Sequence, residues 1–290
     1  MAWRHAETAV VTGAASGIGR AIAVGLGKKG WRVGVADVDL DGANETVEMV
    51  RKAGGEAESF ACDVTRPDDV SGMADHFFDS QGKVGLLVNN AGVGGGGDVG
   101  EVPIEDWKTV IDTNLWGVIY GCHAFIPRMK EQGGGHILNV ASLAGIVPIL
   151  GLGSYNVTKA GVVALSRTLR MELSPFNISV TALCPSSVKT NIVDNTLAKF
   201  VSRDVESLDY GVRTRRTAFE KTPLTVEQVA ELALEGVEKD RLYVLTNFFT
   251  RLAWLEIRLM PTLYIRLWAW LNRKGLARPL VTKLAEKGIV

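Results

Sequence analysis

Apolar residues in this chain alternate between two arrangements. Residues 8–11, 32–36, 57–62, 84–88, 136–141, 178–183 and 242–245 are short runs rich in apolar side chains, which predict buried strands. Between them, residues 19–29, 42–53, 67–80, 104–131, 160–173 and 226–238 carry apolar side chains at helical spacing. Pro67 suits a first helical turn, glycines 133–135 break the fourth helix, and Pro175 stops the fifth. Strand and helix alternate throughout. That predicts an α/β fold, a doubly wound parallel sheet with right-handed crossovers.

Three stretches depart from the alternation. Residues 92–100 are rich in glycine and follow the fourth strand, at the sheet edge where open α/β sheets bind ligands. Residues 187–222 are polar and poorly periodic, which predicts a lid or substrate loop. Residues 248–271 are strongly apolar, but Arg251, Glu256, Arg258 and Arg266 interrupt them, so no uncharged run approaches the ~20 residues of a spanning helix. On a continuous helix, Arg251, Arg258, Arg266 and Arg273 fall within roughly 80° of one another, and Pro261 predicts a kink. Three uses fit this tail: an interfacial helix on a membrane, a cover over the substrate pocket, or a surface packed on the domain or on a second subunit. The expected division is a catalytic domain over 1–246, with its lid at 187–222, and an amphipathic helical extension over 247–290.

Totals narrow the picture further. The chain has 290 residues, 47% apolar and 22% charged, with no net charge, so nothing marks it for nucleic acid. Cys62, Cys122 and Cys184 are odd in number and far apart, which predicts reduced thiols. His5, His76, His123 and His136 lack metal-ligand spacing, and no metal is expected. No apolar signal region precedes the first strand. The expected location is cytoplasmic, with peripheral contact at a membrane through 248–273.

The first strand runs into Thr12-Gly13-Ala14-Ala15-Ser16-Gly17-Ile18-Gly19 and then a helix. Glycines there let backbone approach a pyrophosphate, and the helix N-terminus offers free N–H groups and the positive end of its dipole. The second strand ends in Asp37, whose carboxylate can accept hydrogen bonds from ribose hydroxyls and repel a 2′-phosphate. Ser16 and Val38 bring no cation to it. This predicts NAD in preference to NADP. Tyr155 and Lys159 share one helix face. Free tyrosine loses its proton near pH ~10, and a nearby ammonium favours the phenolate, so the two make a candidate acid/base pair. Ile146, Val147, Ile149 and Leu150 just before them predict an apolar pocket for a hydrophobic, lipid- or steroid-like alcohol or ketone.

Taken in order, these residues identify a resemblance. From residue 6 to about 246 the chain resembles the short-chain dehydrogenases/reductases. The marks are Thr12-Gly13-x-x-x-Gly17-Ile18-Gly19, Asp63-Val64, Asn89-Asn90-Ala91-Gly92, Asn114, Ser142, Tyr155-x-x-x-Lys159 and a proline-containing turn ending at Thr190. The resemblance implies a Rossmann-like sheet of seven parallel strands, NAD(P)-dependent oxidoreduction, and a homodimer or homotetramer formed through the helices bearing Asn114 and Tyr155. It implies Tyr155 as the acid/base and Lys159 as the residue that lowers its pKa and holds the nicotinamide ribose. It implies Ser142 on the substrate oxygen and Asn114 on a water-linked proton path. Asp63 and Val64 would border the adenine, and Thr190 would touch the carboxamide. Gly13, Ser16, Gly17, Ile18, Gly19, Asp37, Asn90, Ala91, Gly92, Pro185 and Val188 complete the implied cofactor set, with Tyr155 and Lys159. One departure stands out: Pro185-Ser186 replaces the family's usual Pro-Gly, placing a side chain where it would narrow the nicotinamide pocket or tilt the lid. An epimerase or dehydratase on the same fold and a non-catalytic NAD-binding scaffold are the alternative readings.

Overall fold

A computed structural model describes residues 7–189, 217–218 and 220–287. Thr190 and most of the expected 187–222 lid lie outside them. The strands are β1 (Thr8–Thr12), β2 (Arg32–Asp37), β3 (Glu56–Ala61), β4 (Leu86–Asn89), β5 (Gly135–Val140), β6 (Ile178–Cys184) and β7 (Tyr243–Leu245). The helices are α1 (Gly17–Gly27), α2 (Leu40–Lys52), α3 (Pro67–Gln81), α4 (Ile104–Ile111), α5 (Gly117–Glu131), α6 (Gly153–Glu172), α7 (Val226–Glu238), α8 (Phe248–Leu259), α9 (Pro261–Arg273) and α10 (Ala277–Glu286).

All seven strands are parallel, in the order β3-β2-β1-β4-β5-β6-β7. This is the expected fold class. Parallel strands put every carboxyl end on one edge, and the order reverses between β1 and β4, which opens a crevice there. Strand side chains alternate between two cores. Val11, Val33, Val35, Val88 and Leu138 meet α1, α2 and α7 on one face. Val10, Leu87, Ile137 and Ala182 meet α3, α5 and α6 on the other. Gly34 belongs to the second face because a methyl there would lie 2.5 Å from the Phe77 ring.

The predicted 104–131 helix is interrupted. A π-helical turn, Asp112–Trp116, separates α4 from α5. Such turns widen a helix by one residue and re-aim its side chains, a change that apolar periodicity does not register. Asn114 sits in this turn, fully buried. Its Oδ1 accepts from the Val93 N–H at 2.8 Å, and its Nδ2 donates to the Val93 carbonyl at 2.8 Å.

The tail is three helices, where the sequence predicted one with a kink. Met260, at φ −134° and ψ 55°, leaves the helical region, and Pro261 opens α9. No helix of the described residues is long and apolar enough to cross a membrane. The three cysteines are buried and free, and burial pushes each thiol up to about 12.

Candidate active site

The ends of β1 and β4 are stitched together. The Thr12 hydroxyl accepts the N–H groups of Asn90 at 3.1 Å and Ala91 at 3.2 Å. The Asn90 Nδ2 donates to the carbonyls of Thr12 at 3.0 Å and Gly13 at 2.9 Å. Gly13 takes φ +64°, and a methyl on it would lie 2.6 Å from the Ala91 Cα. Only glycine combines that conformation with that approach. Asp37 closes the outer side of the turn, accepting from the Ala15 N–H at 2.9 Å and the Asp39 N–H at 3.0 Å. After β3, Asp63 accepts from the Thr65 N–H at 3.0 Å and its hydroxyl at 2.8 Å.

Farther along the same edge, Lys159 is buried and its Nζ donates to the Val140 carbonyl at 2.9 Å. Burial lowers its pKa from 10.5 to about 8, against a smaller opposing effect of Cys184. Its Nζ is 5.7 Å from the Tyr155 ring centroid. Ser142 follows β5, and its Oγ accepts from the Ala144 N–H at 3.1 Å. A methyl on Gly92 would lie 3.1 Å from Asn114 Oδ1 and 3.6 Å from Lys159 Nζ, so these three residues meet at the cleft wall.

One cleft of about 1160 Å³ joins these parts. Gly13, Ser16, Gly17, Ile18, Asp37, Asp63, Val64, Asn90, Ala91, Gly92, Ser142, Tyr155, Lys159, Pro185 and Val188 all border it. Gly19 and Asn114 support it from behind: Gly19 lies against Gly13 and Asn90, and Asn114 holds Val93. Val147, Ile149 and Leu150 line the cleft as the pattern predicted, but Ile146 turns away and packs on the core beside α6. Among the described residues, no three His, Cys, Asp or Glu side chains converge as metal ligands.

The tail forms part of the roof. Tyr264, Trp268 and Asn272 of α9 and Val281 and Leu284 of α10 face the cleft. Polar links between described residues fasten the tail at both ends. At one end the Ser186 Oγ accepts from Asn247 Nδ2 at 2.8 Å, while Asn247 Oδ1 caps α8 by accepting from the Thr250 N–H at 2.8 Å. At the other, Arg278 Nη2 meets Asp98 Oδ2 at 2.9 Å. Ser186 therefore ties the turn after β6 to the tail. Asn247 and α10 fall within the expected helical extension, but neither Asn247 nor the cleft-facing side chains of α10 are singled out in it. The Asn-x-x-Thr spacing ahead of an apolar run was a legible cap signal; the Arg278–Asp98 pair, 180 positions apart, left none.

A glycine turn and the Ser142, Tyr155 and Lys159 side chains thus share one cleft on a doubly wound sheet, the architecture of nucleotide-binding oxidoreductases. The chain belongs to the short chain dehydrogenase family, whose model matches residues 7–199. It is 32% identical over 263 residues to the putative oxidoreductase SadH of Mycobacterium tuberculosis, covering 90% of this chain and 93% of that protein. A short-chain dehydrogenase/reductase from Burkholderia phymatum, solved in complex with NAD, superposes with a TM-score of 0.80 at 35% identity, covering 88% of this chain and 95% of that one. A short-chain dehydrogenase from Sphingobium yanoikuyae, solved with NADPH, superposes with a TM-score of 0.71 at 26% identity, covering 88% and 94%.

Proposed function

We propose that the protein interconverts a hydrophobic secondary alcohol and its ketone, with NAD as cofactor and Tyr155 as the acid/base. One observation carries this reading: a single cleft runs from the Gly13 turn and Asp37 to Tyr155 and Ser142, then on between apolar walls. Bound NAD would supply the hydride acceptor.

The chain's own residues supply the rest. Free N–H groups of the Ser16–Gly17–Ile18 turn suit a pyrophosphate. Asp37, already held by two backbone N–H groups, keeps lone pairs for ribose hydroxyls and opposes a 2′-phosphate. The NAD-bound relative from Burkholderia supports this choice; the NADPH-bound one shows that the family takes either. Lys159 spends one N–H on Val140, which leaves two donors for a ribose. Its ammonium favours the Tyr155 phenolate, which takes the hydroxyl proton during oxidation. Ser142 Oγ accepts the Ala144 N–H, which leaves its own O–H to donate to a substrate oxygen and steady charge that develops there. Asn114 fixes the wall beside Lys159.

The apolar lining from Val147 to Leu152 and from the tail favours bulky apolar substrates. We also read the protein as a homodimer or homotetramer that works at a membrane surface without crossing it. The test is reduced-nicotinamide production with NAD or NADP across secondary alcohols of increasing chain length and ring size. NAD-dependent turnover that rises with hydrophobic size is expected. Preference for NADP, or for small polar alcohols, overturns the corresponding half of the reading.

A further inference from the structure

We infer that the outward face of α8 and α9 docks on the surface of an anionic lipid bilayer, which brings the cleft within one helix thickness of apolar substrate. The argument starts from the two sides of α9. Tyr264, Trp268 and Asn272 face the cleft. Leu263, Leu267 and Trp270 lie on the opposite side, 60%, 51% and 49% exposed. At ~100° per residue, Arg266, Arg273 and Lys274 fall within the same outer arc as those three apolar residues. None of the three cations has an acidic partner among the described residues. The ridge continues on α8 through Phe248, Leu252, Leu255 and Leu259, with Arg251 and Arg258 along its flank.

Charge selects the occupant. Residues 247–290 hold eight Lys and Arg against two Asp and Glu, a net of +6, which leaves −6 for residues 1–246. A bilayer rich in phosphate headgroups suits an apolar ridge edged with arginine and tryptophan. Packed on its own equivalent across a two-fold axis, this face would instead set these cations against one another. Since no helix among the described residues can span a membrane, α8 and α9 would lie in the interface. A helix is about 10 Å thick, so substrate dissolved in the outer acyl region stands that far from the roof. This last step rests on the proposal of a hydrophobic substrate; the docking itself does not.

The experiment is sedimentation of the full-length protein with unilamellar vesicles of phosphatidylcholine containing 30% phosphatidylglycerol, and with phosphatidylcholine alone. Binding to the anionic vesicles is expected. Each cation near such a surface is worth roughly fivefold, so Arg266→Glu with Arg273→Glu should weaken binding at least tenfold. Leu263→Ser with Trp270→Ser should also release the protein. Turnover of a short, water-soluble alcohol should be unchanged in both variants, which confirms that they fold. Three results would overturn the inference: no binding to anionic vesicles, equal binding by the variants, or light scattering in which Leu263→Ser with Trp270→Ser halves the mass of the particle. Vesicle binding without turnover of any alcohol would leave the docking standing and remove the proposed reaction.

Discussion

Two walls of different construction face each other across the cleft. On the sheet side, Thr12, Asn90 and Asn114 each make two or more hydrogen bonds to backbone, and Lys159 is buried against Val140. On the tail side, helices with largely exposed surfaces are fastened by Ser186–Asn247 and Asp98–Arg278. The sheet wall is held from many directions, so a small change there has nowhere to relax. The tail is joined more sparsely, by these polar links and by the contact of Trp254 with Tyr243 of β7, whose ring centroids are 6.1 Å apart. Chemistry needs the first kind of wall, and accommodation of substrate shape is served by the second.

The largest effect that would separate the two walls is in catalysis. Tyr155→Phe should lower kcat by roughly 10²–10⁴ while cofactor affinity, followed by quenching of protein fluorescence, is kept. Undiminished turnover would remove Tyr155 from the chemistry. A second test uses pH. His136 is buried, and its Nε2 lies 2.8 Å from a Thr181 hydroxyl that donates onward to the Arg241 carbonyl. The imidazole therefore donates from Nε2. Burial, outweighing an opposing effect of Asp240, lowers its pKa from 6.5 to about 3. The unfolded chain binds a proton below pH 6.5 that the folded chain refuses until about pH 3. Stability should therefore fall with acidity across that window, with this residue contributing a slope of up to ~1.4 kcal/mol per pH unit. Urea midpoints between pH 7 and 4 measure it, and His136→Gln should flatten the slope. The tail has no histidine and should not share this transition.

Gly13→Ala should cost about 2–4 kcal/mol through the strained φ and the approach of Ala91, visible as a lower unfolding midpoint and weaker cofactor binding. A mutant of wild-type stability would show that the sheet wall can yield after all. The smallest change belongs to the tail. Asn247→Ala removes both the α8 cap and the Ser186 link, at a cost of about 1 kcal/mol. Hydrogen exchange should quicken in α8 and leave β1 and β4 as they were, and KM for bulky alcohols should rise more than kcat falls. Uniform loosening of the sheet would contradict the division drawn above.

The same division governs what the sequence reveals. Buried parallel strands need apolar runs and the glycine turn needs glycines, so the sheet, its strand ends, the Gly13 turn, Asp37 and the Tyr155–Lys159 pair could be read from spacing, whereas Ser142, Asn90, Asp63 and Val64 came from the family resemblance. The π-helical turn at Asn114 could not, because adding one residue to a turn barely disturbs helical periodicity. Ile146 was misplaced for a related reason: in a short irregular segment, neighbouring apolar residues give no period that says which turns inward. The roof was least legible. An amphipathic tail with a clear arginine stripe has two faces, and only its fold onto the domain decides which covers the cleft.

The buried cysteines have a practical consequence. With thiols at about 12, the reactive thiolate at pH 7 is roughly one part in 10⁵. The folded protein should therefore resist maleimides and peroxide without added reductant. Cys62 directly follows β3, Cys122 lies in α5 and Cys184 ends β6, so the order in which the three become labelled as denaturant rises would report which parts of the sheet open first.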